Sequence, residues 1–160
     1  MSSSRPSLET PAGVFATWFG AGLLPRAPGT WGSLAALPFA WVISYWGGWI
    51  ALLTATILVF ALGVWAAGET VKQTGIQDPG SIVIDEVAGQ WMTLIPVGTD
   101  PLAFLVGFIL FRIADIYKPW PASWADRNIK GGLGVMLDDV MAAGYALIVM
   151  ILYHRFIPGL

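Results

Sequence analysis

Between Arg26 and Glu69 the chain runs for 42 residues without one Asp, Glu, Lys or Arg. Two stretches of ~20 residues that long and apolar are what it takes to cross the hydrocarbon of a bilayer twice. Gly47-Gly48 lies at the midpoint, and Trp46 and Trp49 flank it as interfacial aromatics do. The pattern predicts one helix over 33–46, a turn, and a second helix over 49–68. The whole chain has the same bias: 56% of its 160 residues are hydrophobic, 11% are charged, and mean hydropathy is +0.70. Soluble domains carry roughly 25% charged residues, so lipid is the expected solvent.

Further elements follow from the breakers. Residues 69–80 are polar. Ser81 reads as an N-cap for a third helix over 82–95. Pro96, Gly98, Asp100 and Pro101 make a turn. A fourth helix over 102–117 stops at Lys118-Pro119-Trp120-Pro121, because proline cannot continue it. A polar loop then reaches Gly134, and a fifth helix covers 135–153. The short apolar run 14–24 reads as a helix lying at the membrane surface. The expectation is an all-α, polytopic membrane bundle of four to five embedded helices with an N-terminal interfacial helix. Residues 1–12 are expected to be a flexible tail and 13–160 a single membrane-embedded domain.

Alternation assigns the sides. The N-terminus and the loops at 69–80 and 118–132, with their helix ends, hold Arg5, Arg26, Lys72, Arg112, Lys118, Arg127 and Lys130, while the opposite side holds Arg155 alone. The positive-inside rule makes the first side cytoplasmic and puts the C-terminus across the membrane. The same side receives nine of the ten carboxylates, all but Asp100.

Composition also removes chemistries. With no cysteine there is no thiolate ligand, disulfide or cysteine nucleophile. With His154 as the single histidine, two-histidine mechanisms are excluded. A net charge of −2 and the lack of a basic cluster argue against nucleic acid. Carboxylates remain. Eight of the 18 charged residues fall in the 28 positions from Arg112 to Asp139. Asp85 and Glu86 open the third helix, Asp115 closes the fourth between Arg112 and Lys118, and Asp138 and Asp139 open the fifth. Acids near helix N-termini are ordinary; ionisable groups within spans are costly and mark function. Carboxylates at ~4 Å repel by about 4 kcal/mol at an effective dielectric near 20, so their convergence calls for protons, cations or a metal. An all-oxygen donor set suits Mg²⁺ first and Mn²⁺ second.

Two glycine-rich stretches, residues 28–33 and 131–134, read as loops before helix N-termini: plain turns and caps when taken alone, phosphate cradles when taken beside a carboxylate–metal cluster. They make Thr30, Gly131 and Gly132 candidate phosphate contacts. Trp120 and Trp124 read as an interfacial belt. A cation transporter or channel subunit is the alternative, but it would spread its acids through the bilayer depth.

Four segments carry a resemblance: FGAGLLPRAPGTWGS (19–33), GSIVIDE (80–86), FRIADIYKPWP (111–121) and DRNIKGGLGVMLDD (126–139). In this order they resemble the phosphatidylglycerophosphatase A family, over residues 15–143, with Ala21 and Leu24 as variations in the first motif. The resemblance implies a bacterial, Mg²⁺-dependent lipid phosphatase of the inner membrane, which converts phosphatidylglycerophosphate to phosphatidylglycerol and inorganic phosphate. Asp85, Glu86, Asp115, Asp138 and Asp139 match its acidic positions. Arg112, Lys118, Asp126 and Arg127 lie in its R-x-x-D-x-x-K-P and D-R-N segments. The expected assignment is Asp85, Glu86, Asp115 and Asp139 on the metal, with Asp138 or Glu86 as base. Arg112, Lys118, Thr30, Asp126, Arg127, Gly131 and Gly132 are expected on the phosphate or substrate.

Overall fold

The computed structural model describes residues 6–157. Residues 1–5 and 158–160, and with them Arg5 and the ends of the expected tail and domain, lie outside the described residues. The described residues form six α-helices: α1 Pro11–Ala16, α2 Pro28–Thr74, α3 Ile84–Leu94, α4 Pro101–Tyr117, α5 Ala122–Asn128 and α6 Gly131–Phe156. No strand occurs among the described residues.

The long apolar stretch folds back on itself. Helical hydrogen bonding continues through α2, but Gly48 breaks its geometry with φ 63° and ψ −162°, a conformation open to glycine and little else. Gly32 faces Val83, and Gly63 approaches the adjacent Ile84. An unbroken helix would separate those two glycines by about 46 Å, so the arms 28–47 and 49–74 form an antiparallel hairpin. The expected turn at 47–48 is therefore present. The first arm begins at Pro28, earlier than 33, which lengthens it to about 30 Å, the thickness of a hydrocarbon core.

Small residues let the helices approach closely. The first arm buries Gly29, Gly32, Ser33, Ala36, Ala40 and Ser44, a stripe at helical spacing. Packed between the hairpin, α4 and α6 is α3. Its 11 residues span about 16 Å, and nine of them are buried. Trp91 at its far end donates Nε1–H to the Ala36 carbonyl at 2.9 Å. Of the four to five embedded helices expected, two, Pro28–Thr74 and Gly131–Phe156, are long and apolar enough to cross a membrane.

Several boundaries differ from expectation. The run 14–24 is not one helix: α1 crosses the expected boundary at residue 12, then Trp18, Phe19 and Gly20 take positive φ and a 3₁₀ turn follows at Ala21–Leu23. Trp18 is buried edge-on against Trp91, so this segment is part of the core. Ser81 does not cap α3; the helix starts at Ile84 after Val83, whose N–H donates to the Ala16 carbonyl. The polar loop after α4 contains α5.

Both glycine-rich stretches turn out to be helical. Residues 28–33 are the first turns of α2, and 131–134 open α6. A Cβ on Gly132 would sit 2.0 Å from the Val64 carbonyl oxygen and 2.6 Å from the Gly68 nitrogen. Gly132 is thus where α6 touches the hairpin backbone. Gly132→Ala is expected to destabilise the fold by about 2–3 kcal/mol, because backbone cannot yield as a side chain can. Gly144→Ala, with open space around it, is the control. Thermal unfolding in detergent checks both, and equal midpoints would contradict the close contact.

Candidate active site

The ends of α2, α3, α4 and α6 nearest the polar loops meet around seven charged side chains. First-turn positions on α3 supply Asp85 and Glu86, and the C-terminal two turns of α4 supply Arg112 and Asp115. Lys118 is the C-cap of α4, with φ 41°, and its N–H closes the helix on the Ala114 carbonyl. Two turns into α6 come Asp138 and Asp139. Asp85, Asp115, Asp138 and Asp139 are all buried, Asp139 to 1% exposure.

The cations partition the acids. Arg112 Nη1 lies 2.6 Å from Asp115 Oδ2, 3.8 Å from Glu86 Oε1 and 3.4 Å from Ser33 Oγ. Lys118 Nζ donates to Asp138 Oδ2 and lies 3.5 Å from Asp139 Oδ1 and 4.0 Å from Asp115 Oδ1. Burial by itself would lower the Lys118 pKa, but Asp139, Asp138 and Asp115 outweigh it and hold the ammonium above the ordinary lysine value. Five carboxylates against two cations leave a formal excess of three negative charges.

That excess concentrates at one point. One oxygen each from Asp85, Glu86 and Asp139 lie within 4.8 Å of one another. Asp85 Oδ1, Glu86 Oε2 and Asp139 Oδ2 are buried with no hydrogen-bond partner. Ligands at about 2.1 Å from one ion are at most about 4.2 Å apart, so the trio is close to the span of a Mg²⁺ shell. Unpaired buried carboxylate oxygens, all hard donors, fit a divalent cation of the Mg²⁺ class. Asp115, expected as a fourth ligand, lies 2.6 Å from Arg112 Nη1 through Oδ2 and 4.0 Å from Lys118 Nζ through Oδ1.

The remaining expected residues divide. Thr30 lies in the first turn of α2, half-buried. Asp126 and Arg127 are exposed on α5, and Arg127 Nε donates to the Ser123 carbonyl of its own helix. Asp126 shares a small crevice with Asp78 and Asp138. Gly131 has φ +74° and open space, whereas Gly132 is occupied in packing.

Three residues at or near the site were not singled out from the sequence. Ser33 accepts from Arg112. A Cβ on Gly29 would lie 2.1 Å from Glu86 Oε1 and 3.1 Å from Arg112 Nη1. Gln90, one turn below Glu86, is fully buried with neither amide atom partnered. The small-residue spacing 29, 32, 33, 36, 40 was the available signal for the first two; it reads as a contact face once the stretch is taken as helix. The acids gather at one end of the bundle, an arrangement an ion path through the bilayer does not require.

Residues 14–154 match the model of the family described as Phosphatidylglycerophosphatase A. The chain is 42% identical over 143 residues to Phosphatidylglycerophosphatase A of Escherichia coli (strain K12), an alignment covering 89% of this chain and 83% of that protein. It is 40% identical over 145 residues to Phosphatidylglycerophosphatase A of Haemophilus influenzae, covering 90% and 89%. A Bacteroides thetaiotaomicron protein named as a candidate phosphatidylinositol-3-phosphatase is 38% identical over 154 residues, covering 91% and 94%. No solved structure matches the chain.

Proposed function

Because this chain belongs to the phosphatidylglycerophosphatase A family, we propose that it hydrolyses the phosphomonoester of phosphatidylglycerophosphate, releasing phosphatidylglycerol and inorganic phosphate. The observation that carries the reading is the convergence of Asp85, Glu86 and Asp139 oxygens beside Arg112 and Lys118 at one end of an apolar helical bundle. A phosphate headgroup and a bilayer-embedded tail need such a pairing of surfaces.

In this reading Asp85, Glu86 and Asp139 hold Mg²⁺, or Mn²⁺ in its place. Bound there, the cation supplies charge neutralisation at the phosphoryl group and a water of lowered pKa. Arg112 and Lys118 face the phosphoryl oxygens and offset the charge that grows on them. Asp115 orients both cations through its two oxygens. Asp138 has Oδ2 held by Lys118 and Oδ1 unpartnered. It takes the proton of the attacking water as the new P–O bond forms; the ester P–O bond breaks on the opposite side, and the glycerol oxygen leaves with a proton drawn from solvent. Burial of the acids keeps bulk water from screening these interactions.

The two arms of α2 with α4 and α6 form the membrane-embedded part, and α3 is enclosed among them. The site end faces the cytoplasm of the bacterial inner membrane, as the excess of Lys and Arg at that end favours.

Phosphate release by detergent-purified protein tests the reading. Phosphatidylglycerophosphate with Mg²⁺ is expected to be the fastest substrate. EDTA is expected to stop turnover, and added Mg²⁺ or Mn²⁺ to restore it. Phosphatidic acid, lysophosphatidic acid and phosphatidylinositol 3-phosphate are the comparison arms; the last is included because of the name of the Bacteroides relative. A folded sample that releases no phosphate from phosphatidylglycerophosphate with Mg²⁺ would refute the proposal.

A further inference from the structure

The seam between α4 and α6 carries a groove of about 290 Å³. Leu110, Ala114 and Tyr117 line it from α4, and Tyr145, Ala146 and Val149 from α6. The α4 positions recur at i, i+4 and i+7, a single stripe along the helix axis. The hollow exists because Ala114 and Ala146 are small between bulkier neighbours. No charged side chain lines it.

Its position sets it apart from the other apolar hollows. Ile113, which follows Arg112, also lines the groove, and so do Tyr117 and Pro119, the two neighbours of Lys118. The groove therefore starts beside Lys118, whereas the Arg112 side chain leaves α4 about half a turn away from the groove stripe. The hollow between the second arm of α2, α3 and α6, lined by Leu53, Ile57, Phe60 and Ile95 among others, includes no residue adjacent to either cation. Nor does the one along Pro38–Ile43. At the mouth, the Tyr145 hydroxyl donates to the Trp120 carbonyl and ties the turn after α4 to α6. From Tyr117 to Leu110 the groove descends about 10 Å, away from the polar end.

We propose that this groove holds an acyl chain of the lipid phosphomonoester, hanging from the phosphate held near Arg112 and Lys118; this rests on the function proposed above. A chain leaving the bilayer for the groove exchanges one apolar surroundings for another, so the groove adds little affinity. Its effect is orientation: one tail fixed along α4 aims the headgroup at the carboxylates. Turnover then depends on the length of the chain as well as on the headgroup.

The test compares a long-chain diacyl phosphatidylglycerophosphate in mixed micelles with its short-chain, water-soluble counterpart. Filling the groove by Ala114→Leu is expected to lower the ratio of kcat/KM for the long-chain over the short-chain substrate about tenfold. Val149→Trp, on the exposed rim, fills the same groove from the other helix and is expected to do likewise, which guards against a folding defect in the first variant. A long-chain substrate carrying a mid-chain diazirine should label peptides of α4 and α6 around Leu110 and Val149. If the unsubstituted protein hydrolyses neither substrate, the phosphatase reading fails and this proposal with it. If it hydrolyses both, and the two variants leave the ratio unchanged or the label spreads evenly around the bundle, the groove assignment alone is overturned.

Discussion

Asp139→Asn is expected to lower kcat/KM for phosphatidylglycerophosphate by about 10³-fold, the equivalent of ~4 kcal/mol of lost transition-state stabilisation. The substitution preserves shape and removes one charge. Asp139 is 1% exposed, its Oδ2 has no partner, and it belongs to the trio of converging oxygens. An amide there offers one weaker oxygen and an N–H₂ that repels a cation. A second readout separates this from simple damage. Without metal, the variant should be no less stable than the parent, because one of three excess negative charges has gone. With metal, the parent should gain about 2.7 kcal/mol at a concentration 100 times the dissociation constant, and the variant should gain far less. Thermal unfolding with and without Mg²⁺ measures this directly. A variant that keeps near-normal turnover, or the parent's full metal-induced stabilisation, would show that the cation is held elsewhere.

Gly29→Ala is expected to cost about 10²-fold in kcat while leaving the protein folded, since a 1 Å misplacement in an active site has that scale of effect. Gly29 is helical, and alanine is the better helix former by about 1 kcal/mol. Its environment is the obstacle. The added methyl would lie 2.1 Å from Glu86 Oε1 and 3.1 Å from Arg112 Nη1. Carbon and carboxylate oxygen need more than 3 Å, so Glu86 must shift by about 1 Å from its place in the trio. Gly80→Ala, at a position with open space, is the matched control and should behave as the parent. Activity of Gly29→Ala within threefold of the parent would mean that Glu86 does not need its observed place.

Much of the fold was readable because hydrophobicity acts locally. The turn at Gly48 follows from one glycine pair in an uncharged run, and α4 ends where Pro119 forbids continuation. The end of the bundle that gathers charge follows from the loops. Misreadings came where a residue type has two uses. Glycine-rich stretches before apolar runs suggested loops with free amides, but residues 28–33 and 131–134 are helical and their glycines other than Gly131 admit a neighbour's side chain or backbone. Composition cannot separate these uses, because both require the absence of a Cβ. The run 14–24 looked like one surface helix, yet positive φ at Trp18 and Phe19 breaks it and turns the Trp18 ring into the core. α5 was missed because seven residues give too little periodicity to read.

The sequence by itself determined the apolar character of this protein, its all-helical class, the inventory of chemistry it can perform and the residues that carry charge, because each depends on residue types and short spacings. Tertiary structure alone decided how those charges are shared. Asp115, Asp138 and Asp139 stand within 24 residues of one another in sequence, yet Asp115 faces Arg112, Asp138 faces Lys118, and Asp139 joins Asp85 and Glu86 from another helix. That partition depends on helix rotation and depth, which the small residues at the contacts set.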